Sequence, residues 1–242
     1  MNDIQLDTVD STNSYAKLHA ASFPADQITC ITAEEQTAGR GRYQRKWISP
    51  RGVNIYATFY FHLPLPALHL GSLSQVMSYS FAALLLKEGL HPQIKWPNDV
   101  QLNGKKVSGV LSETIFHQKY VEIFLGIGIN VNMEADALEH IDQPATSLKH
   151  ETGRIWDRKE LLKKLQKQFS SDLEKFKKEG FRPFHGAVEK LLALKGQTVR
   201  CFDGKKEWVG VCHSLADWGG LNLLTPDQKI HTLLSGDISR SR

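Results

Sequence analysis

Two glycines and two arginines alternate at Gly39-Arg40-Gly41-Arg42, with Gln36 shortly before them and Arg45, Lys46 and Trp47 shortly after. Glycine lets the backbone turn its N–H groups outward, and guanidinium groups grip phosphate or carboxylate oxygens, so the run has the ingredients of an anion-binding loop. It is no P-loop, because the G-x-x-x-x-G-K-[ST] spacing is missing. It is no dinucleotide-binding turn either, because β-type residues follow where a helix should open. A basic surface turn would use the same residues, and the run alone leaves both readings open.

Three further segments could carry chemistry. In Lys95-Trp96-Pro97-Asn98-Asp99 the proline stiffens the backbone, so an amide and a carboxylate leave the turn in defined directions. The same residues are ordinary turn formers, and Lys106 beyond them reads by itself as a solvated lysine. In Gly126-Ile127-Gly128-Ile129-Asn130 two glycines share one face of an apolar strand, which invites close approach of another body and leaves Asn130 as a polar group at a buried strand end. A neighbouring helix or aromatic side chain would need those glycines equally. The sequence holds no H-E-x-x-H and no G-x-S-x-G, and its ten histidines are scattered, so metalloprotease and serine-hydrolase readings have no support. Cys30, Cys201 and Cys212 form no C-x-x-C pair, which suits neither a disulfide framework nor a thiolate zinc site, and no metal ligands are assigned.

These segments need elements to hold them. Asp10-Ser11-Thr12-Asn13 is a cluster of N-cap residues ahead of Tyr15, Ala16 and Leu18, and predicts a helix start. Strands are predicted over 27–33 and 53–63, an amphipathic helix over 72–87 stopped by Gly89, and further strands over 94–96, 105–113 and 121–131. The last is nearly all apolar and should lie centrally in its sheet. Leu161, Leu165, Phe169, Leu173 and Phe176 mark another helix, lysine-rich on its other face and ending near Gly180. After Leu194 short strands at 197–202, 207–214, 221–225 and 229–234 alternate with turns at Asp203-Gly204 and Gly219-Gly220, as in a small terminal β-barrel. Some 50 residues bury little core alone, so that part should dock on the rest.

With 242 residues, 41% of them apolar and 23% charged, the composition is that of a soluble globular protein. Thirty basic against 26 acidic residues give +4, and the isoelectric point of about 8.9 permits an anionic partner without identifying one. No apolar run approaches the ~20 residues of a membrane span, and the start lacks a signal-peptide pattern. With the unpaired cysteines, this gives a cytoplasmic expectation.

Taken in order, Asp10-Ser11-Thr12-Asn13, Gln36-x-x-Gly39-Arg40-Gly41-Arg42 with Trp47, Lys95-Trp96-Pro97-Asn98-Asp99, Lys106 with Gly109, and Gly126-Ile127-Gly128-Ile129-Asn130-Val131 resemble the biotin protein ligase family. The resemblance covers most of the chain, and five motifs in order are far more specific than any one of them. Gly236-Asp237-Ile238-Ser239 fits the family's terminal barrel. Tyr43-Gln44 departs from the pattern, since many members carry a glycine before Arg45. The first motif begins at Asp10, which points to the ligase-only branch without a DNA-binding helix-turn-helix.

The resemblance implies an α+β fold: a mixed sheet flanked by helices, related to class II aminoacyl-tRNA synthetases, over 1–194, and an SH3-like barrel over 195–242. It implies activation of biotin by ATP to biotinyl-5′-AMP and transfer to a lysine of a biotin carboxyl carrier protein of acetyl-CoA carboxylase or another biotin-dependent carboxylase. Ser11, Thr12, Asn13, Gln36, Gly39, Arg40, Gly41, Arg42, Lys106 and Gly109 would bind biotin. Arg42, Trp47, Asn98, Asp99, Lys106 and Asn130 would line the ATP side, with Mg²⁺ accompanying the nucleotide. Arg42 and Lys106 would offset the meeting of two anions, and Asp99 would orient the acceptor amine or take its proton. No DNA or membrane partner is implied; a homodimer is compatible. Two rivals are a lipoate or octanoate ligase of the same fold and a basic nucleic-acid-binding protein; the modest charge and the lack of clustered exposed aromatics speak against the second.

Overall fold

The computed structural model of the protein describes residues 1–67 and 69–240. Along the chain these form β1 (Asn2–Val9), α1 (Thr12–His19), β2 (Thr29–Gln36), β3 (Ile55–Pro64), α2 (Leu73–Lys87), β4 (Pro92–Lys95), β5 (Asp99–Leu102), β6 (Lys105–Phe116) and β7 (Tyr120–Ile129). There follow α3 (Ala135–Glu139), α4 (Leu148–Thr152), α5 (Arg158–Glu179), α6 (Arg182–Lys190), β8 (Thr198–Phe202), β9 (Glu207–Leu215), β10 (Leu221–Leu224), β11 (Ile230–Leu233) and β12 (Asp237–Arg240). They divide into two compact units, Met1–Ala67 with Lys105–Lys164 and Leu68–Gly104 with Leu165–Arg242.

In the first unit the strands run in the order β1-β2-β3-β7-β6, with β1 parallel to β2 and the other pairs antiparallel. The apolar strand β7 lies between β3 and β6, as its composition predicts. Side chains alternate along a strand, so paired residues form rows across one face. Tyr60 and Glu113 flank Phe124; Thr58 and Leu111 flank Gly126; Tyr56 and Gly109 flank Gly128. Helix α1 covers the first of these rows, with Ala16 fully buried against Ile31, Tyr60 and Phe124. Strand β1 was not foreseen: its apolar residues Ile4 and Leu6 are few, and they pack only from the edge onto that same cluster.

In the second unit α2 is less amphipathic than its apolar spacing predicts. Ser74, Gln75, Ser78 and Ser80 are buried along with Val76, Met77, Phe81 and Leu85. The Ser80 hydroxyl and the Gln168 amide both donate to the buried carboxylate of Asp172, at 2.8 and 2.9 Å, which explains an acid in the interior of α5. The five apolar residues read from α5 are all buried. After Gly180, whose φ of +64° ends that helix, α6 starts with a proline in its first turn, where the missing N–H costs nothing. The terminal strands form an antiparallel sheet in the order β11-β10-β9-β8-β12. This sheet clusters with the α2 and β4–β5 region, and the carbonyl of Gly219 accepts both the Trp96 indole N–H (2.9 Å) and the Gln75 amide (2.8 Å).

Candidate active site

The two strand glycines are where two long-range neighbours come down onto the sheet. A Cβ on Gly126 would stand 2.5 Å from Asn13 Oδ1, and one on Gly128 would stand 2.3 Å from the indole Cε2 of Trp47. Both distances are far inside van der Waals contact, so Asn13 and Trp47 keep these places only over glycine. The body that the sequence leaves undefined is therefore the start of α1 in one case and the end of the arginine loop in the other.

Asn13 is held on all sides. Its Oδ1 accepts from the Thr58 hydroxyl at 2.6 Å, and its Nδ2 donates to Glu113 Oε2 at 2.8 Å. Thr58 also lies 2.8 Å from the Thr12 hydroxyl. Ser11 occupies the N-cap of α1, but its side chain does not cap the helix. Instead Gln36, at the end of β2, accepts the Thr12 backbone N–H at 2.9 Å, and its amide nitrogen donates to Ser49 at 3.0 Å. Ser11, Thr12, Asn13 and Thr58 are each less than 5% exposed. Hydroxyls and amides buried together in this way offer donors and acceptors within a small volume over a glycine floor.

The arginine loop is a closed turn. Arg40 pairs with Lys46, the Gly41 N–H donates to Arg45 O at 2.8 Å, and the Trp47 N–H donates to Gly39 O at 2.9 Å. Gly39 packs too tightly for any side chain, its Cβ position lying 2.6 Å from Ser49 Oγ; at Gly41 the nearest atom is 3.8 Å away, an ordinary contact that leaves room for a methyl group. Tyr43 and Gln44 both hold left-handed backbone, with φ of +56° and +59°, at a cost on the order of 1 kcal/mol each that a glycine would avoid. Arg42 is half-buried, its guanidinium 5.0 Å from the Tyr43 ring centroid. Lys106 reaches across Gly109 and places Nζ 5.3 Å from the centroid of Trp47, whose own buried indole N–H has no hydrogen-bond partner among the described residues.

Glu113 ties these parts together electrostatically. Burial alone would raise its pKa, but the Lys17 ammonium, the Asn13 amide and the Arg40 guanidinium outweigh it and hold the carboxyl below the usual range. Arg40 in turn donates to Ser14 at 2.9 Å. Glu113, Thr58 and Ser49 are site residues that the motifs miss. Thr58 is a small buried hydroxyl inside a largely apolar strand, a sign in the sequence that its face meets something polar.

The first unit thus brings Ser11, Thr12, Asn13, Gln36, Gly39, Arg40, Trp47, Lys106 and Gly109 onto or beside one sheet face. Asn130 is buried next to them, but its amide nitrogen donates to Thr146 O at 3.0 Å and braces the chain that follows. Asn98 and Asp99 belong to the second unit, at the tip and first residue of the β4–β5 hairpin, where Asp99 stands opposite Lys95. Trp96 of the same motif is a core residue, 2% exposed.

The model of the Biotin/lipoate A/B protein ligase family matches residues 6–130, which include Asn13, the arginine loop, Lys106 and both strand glycines. The chain belongs to this family. Bifunctional ligase/repressor BirA of Escherichia coli strain K12 is 35% identical over 237 residues, 97% of this chain and 72% of that one. Biotin--[acetyl-CoA-carboxylase] ligase of Paracoccus denitrificans is 33% identical over 223 residues, 90% of this chain and 92% of that one. Among solved structures, biotin protein ligase from Aquifex aeolicus in complex with biotin and ATP superposes with a TM-score of 0.80 at 36% identity, covering 99% of each chain. For a biotin/lipoate ligase the mixed sheet and the second, antiparallel sheet seen here are the shared architecture.

Proposed function

We propose that the chain is a ligase that activates biotin with ATP to biotinyl-5′-AMP, releasing pyrophosphate, and transfers the biotin to a lysine of a biotin carboxyl carrier protein, releasing AMP. The observation that carries the choice of biotin within the family is the buried polar group of Ser11, Thr12, Asn13, Thr58 and Gln36 above Gly126. Biotin's ureido ring presents a carbonyl acceptor and two N–H donors, which these side chains can meet. The dithiolane of lipoate and the chain of octanoate present neither. Opening the internal network for such a head group would leave buried polar atoms unpaired, at about 1–3 kcal/mol each.

At the Gly109–Gly128 end of the floor the site turns cationic at Lys106, and Arg42 of the arginine loop is our candidate for a second charge. Biotin's carboxylate is already ionised at neutral pH, so the first step needs no general base. A carboxylate oxygen attacks the α-phosphorus and pyrophosphate leaves; the obstacle is the approach of two anions, which fixed positive charge lowers. Lys106, half-buried against Trp47, is pre-organised for that task. In the second step an amine of ordinary pKa ~10.4 attacks the acyl carbon, AMP leaves and the amine's proton must be taken up. Asp99 is our candidate to orient the amine or accept that proton, and Asn98, Trp47 and Asn130 are our candidates for the nucleotide side.

No group of three or more His, Cys, Asp or Glu among the described residues is placed to hold a metal ion. Mg²⁺ fits this chain as part of the substrate, bound mainly by ATP's own phosphates, and supplies charge neutralisation there. Among the described residues no helix is long and apolar enough to cross a membrane, and we place the reaction in the cytoplasm. Biotin-dependent exchange of pyrophosphate into ATP tests the reading. Biotin alone should support exchange, unaffected by excess lipoate or octanoate; exchange supported by lipoate and not by biotin would overturn it.

A further inference from the structure

Glu113 sits on β6 beyond every motif residue of that strand, on the face that carries Thr58 and Gly126. Its side chain is 26% exposed and is shared by two hydrogen-bond donors and a nearby guanidinium. Oε1 accepts from Lys17 Nζ at 2.5 Å, while Oε2 accepts from Asn13 Nδ2 at 2.8 Å and lies 3.8 Å from a guanidinium nitrogen of Arg40. Asn13 and Lys17 are one turn apart on α1, and Arg40 lies at the root of the closed loop. One carboxylate therefore joins the helix that delivers the polar head-group residues to the loop that would cover the tail.

The type of group matters as well as its position. An asparagine amide can turn over and exchange its oxygen for its nitrogen, but an ionised carboxylate only accepts hydrogen bonds, so Glu113, with the shortest of the Nδ2 contacts and two backbone carbonyls at 3.5 Å beside it, holds Nδ2 of Asn13 on its side and Oδ1 toward Thr58. A glutamine in the same place would offer one acceptor and one donor, and its donor would face either the amide of Asn13 or a cation.

We propose that Glu113 is a positioning residue for biotin recognition, fixing which way the Asn13 amide points and tethering Arg40, so that head-group pocket and loop are set together. This rests on the biotin reading of the site given above. The carboxylate touches neither substrate nor reacting atoms; it acts through Asn13 and Arg40. Losing a charge-assisted hydrogen bond that orients a ligand-binding amide weakens binding by about ten- to a hundredfold.

Calorimetric titration of biotin into the full chain, with steady-state kinetics alongside, tests this. Glu113→Gln is expected to raise the biotin dissociation constant and the KM for biotin by about ten- to a hundredfold, with the KM for ATP moved far less. Glu113→Asp, which keeps the charge, should recover part of the loss, and a variant that had merely unfolded is recognised by its melting curve. In an Asn13→Ala background Glu113→Gln should cost less than it does in the unmutated chain, because the amide it orients is gone and only its hold on Arg40 remains. Unchanged biotin affinity in Glu113→Gln, an Asp variant no better than the Gln variant, or fully independent effects of Asn13→Ala and Glu113→Gln would each overturn the assignment. Absence of biotin binding in the unmutated chain would instead overturn the functional reading beneath it.

Discussion

Replacing Gly126 and Gly128 separately by alanine should separate the two halves of the site, although they lie one residue apart on the same strand. In Gly126→Ala the new methyl group would stand 2.5 Å from Asn13 Oδ1 and 3.1 Å from its Cγ. Ordinary C···O contact is about 3.3–3.6 Å, so Asn13 must withdraw by roughly 1 Å. Its bonds to Thr58 and Glu113, now 2.6 and 2.8 Å long, do not survive such a shift. With the head-group amide out of place, biotin affinity should fall by about one to two powers of ten. In Gly128→Ala the methyl group would stand 2.3–2.6 Å from three indole atoms of Trp47, and the ring must lift by about 1.2–1.7 Å to reach normal carbon contact. That disturbs the surface against which Lys106 rests, leaving Asn13 in place. Biotin binding without nucleotide should then stay within about twofold, while ATP-dependent adenylate formation drops about tenfold or more. Overpacking costs about 1–3 kcal/mol in either variant, and at about 2–4 °C per kcal/mol for a chain of this size both should remain folded at assay temperature. Titration of biotin and pyrophosphate-exchange rates provide the readout. If both variants lost both activities in equal proportion, or if Gly126→Ala bound biotin normally, the division of the floor between head group and nucleotide would be wrong.

Lys106→Ala should slow biotin-dependent pyrophosphate release by about 10²–10³ while leaving the fold intact, because its backbone bonds to the 144–146 segment remain; an unmutated rate would remove Lys106 from the chemistry. Arg42→Gly removes a half-buried guanidinium of the arginine loop that lies over Tyr43, so the variant should still form adenylate but release it about ten- to a hundredfold faster. Mass spectrometry with an unrelated lysine-rich protein present should then show more bystander biotinylation, and unchanged selectivity would refute a lid role. In the second unit, Asp203 accepts from the backbone N–H groups of Lys206 and Lys205 and from the Trp208 indole, which push its pKa down to about 2. A depressed carboxylate contributes above its ordinary value of 3.8 and loses that contribution as pH falls through about 2, so Trp208 emission should change only in that acid window. Asp203→Asn should show the altered emission already at neutral pH; identical acid titrations of the two proteins would refute the assignment.

The order of motifs along the sequence identified the family and pointed to residues that the fold gathers on one sheet face, because the loops and the glycine strand have compositions that ordinary structure does not demand. What touches what was not legible. Gly126 and Gly128 announce close approach, but their occupants lie far away in the sequence, and only the fold brings Asn13 and Trp47 there. Glu113 lies just before the exposed end of β6, Thr114 to Phe116, so in sequence it reads as a solvated acid; the cations that capture it come from α1 and the loop. Gln36 was read as a ligand group, yet in the fold it also supplies the acceptor that the Ser11 side chain does not offer to α1. Helices α3 and α4, five residues each, are too short to show a period, and Pro183 disguises α6 as a break. The serines of α2 look like a solvent face but are buried, because α6 and β4 pack around that helix.

The most direct test is to incubate the chain with biotin, Mg·ATP and a biotin carboxyl carrier domain, and to follow pyrophosphate together with the intact mass of the acceptor. Stoichiometric pyrophosphate release and the gain of a single biotinyl group on one lysine are the predicted result; an acceptor left unmodified while the protein binds biotin and ATP, or one modified only when lipoate replaces biotin, would contradict it.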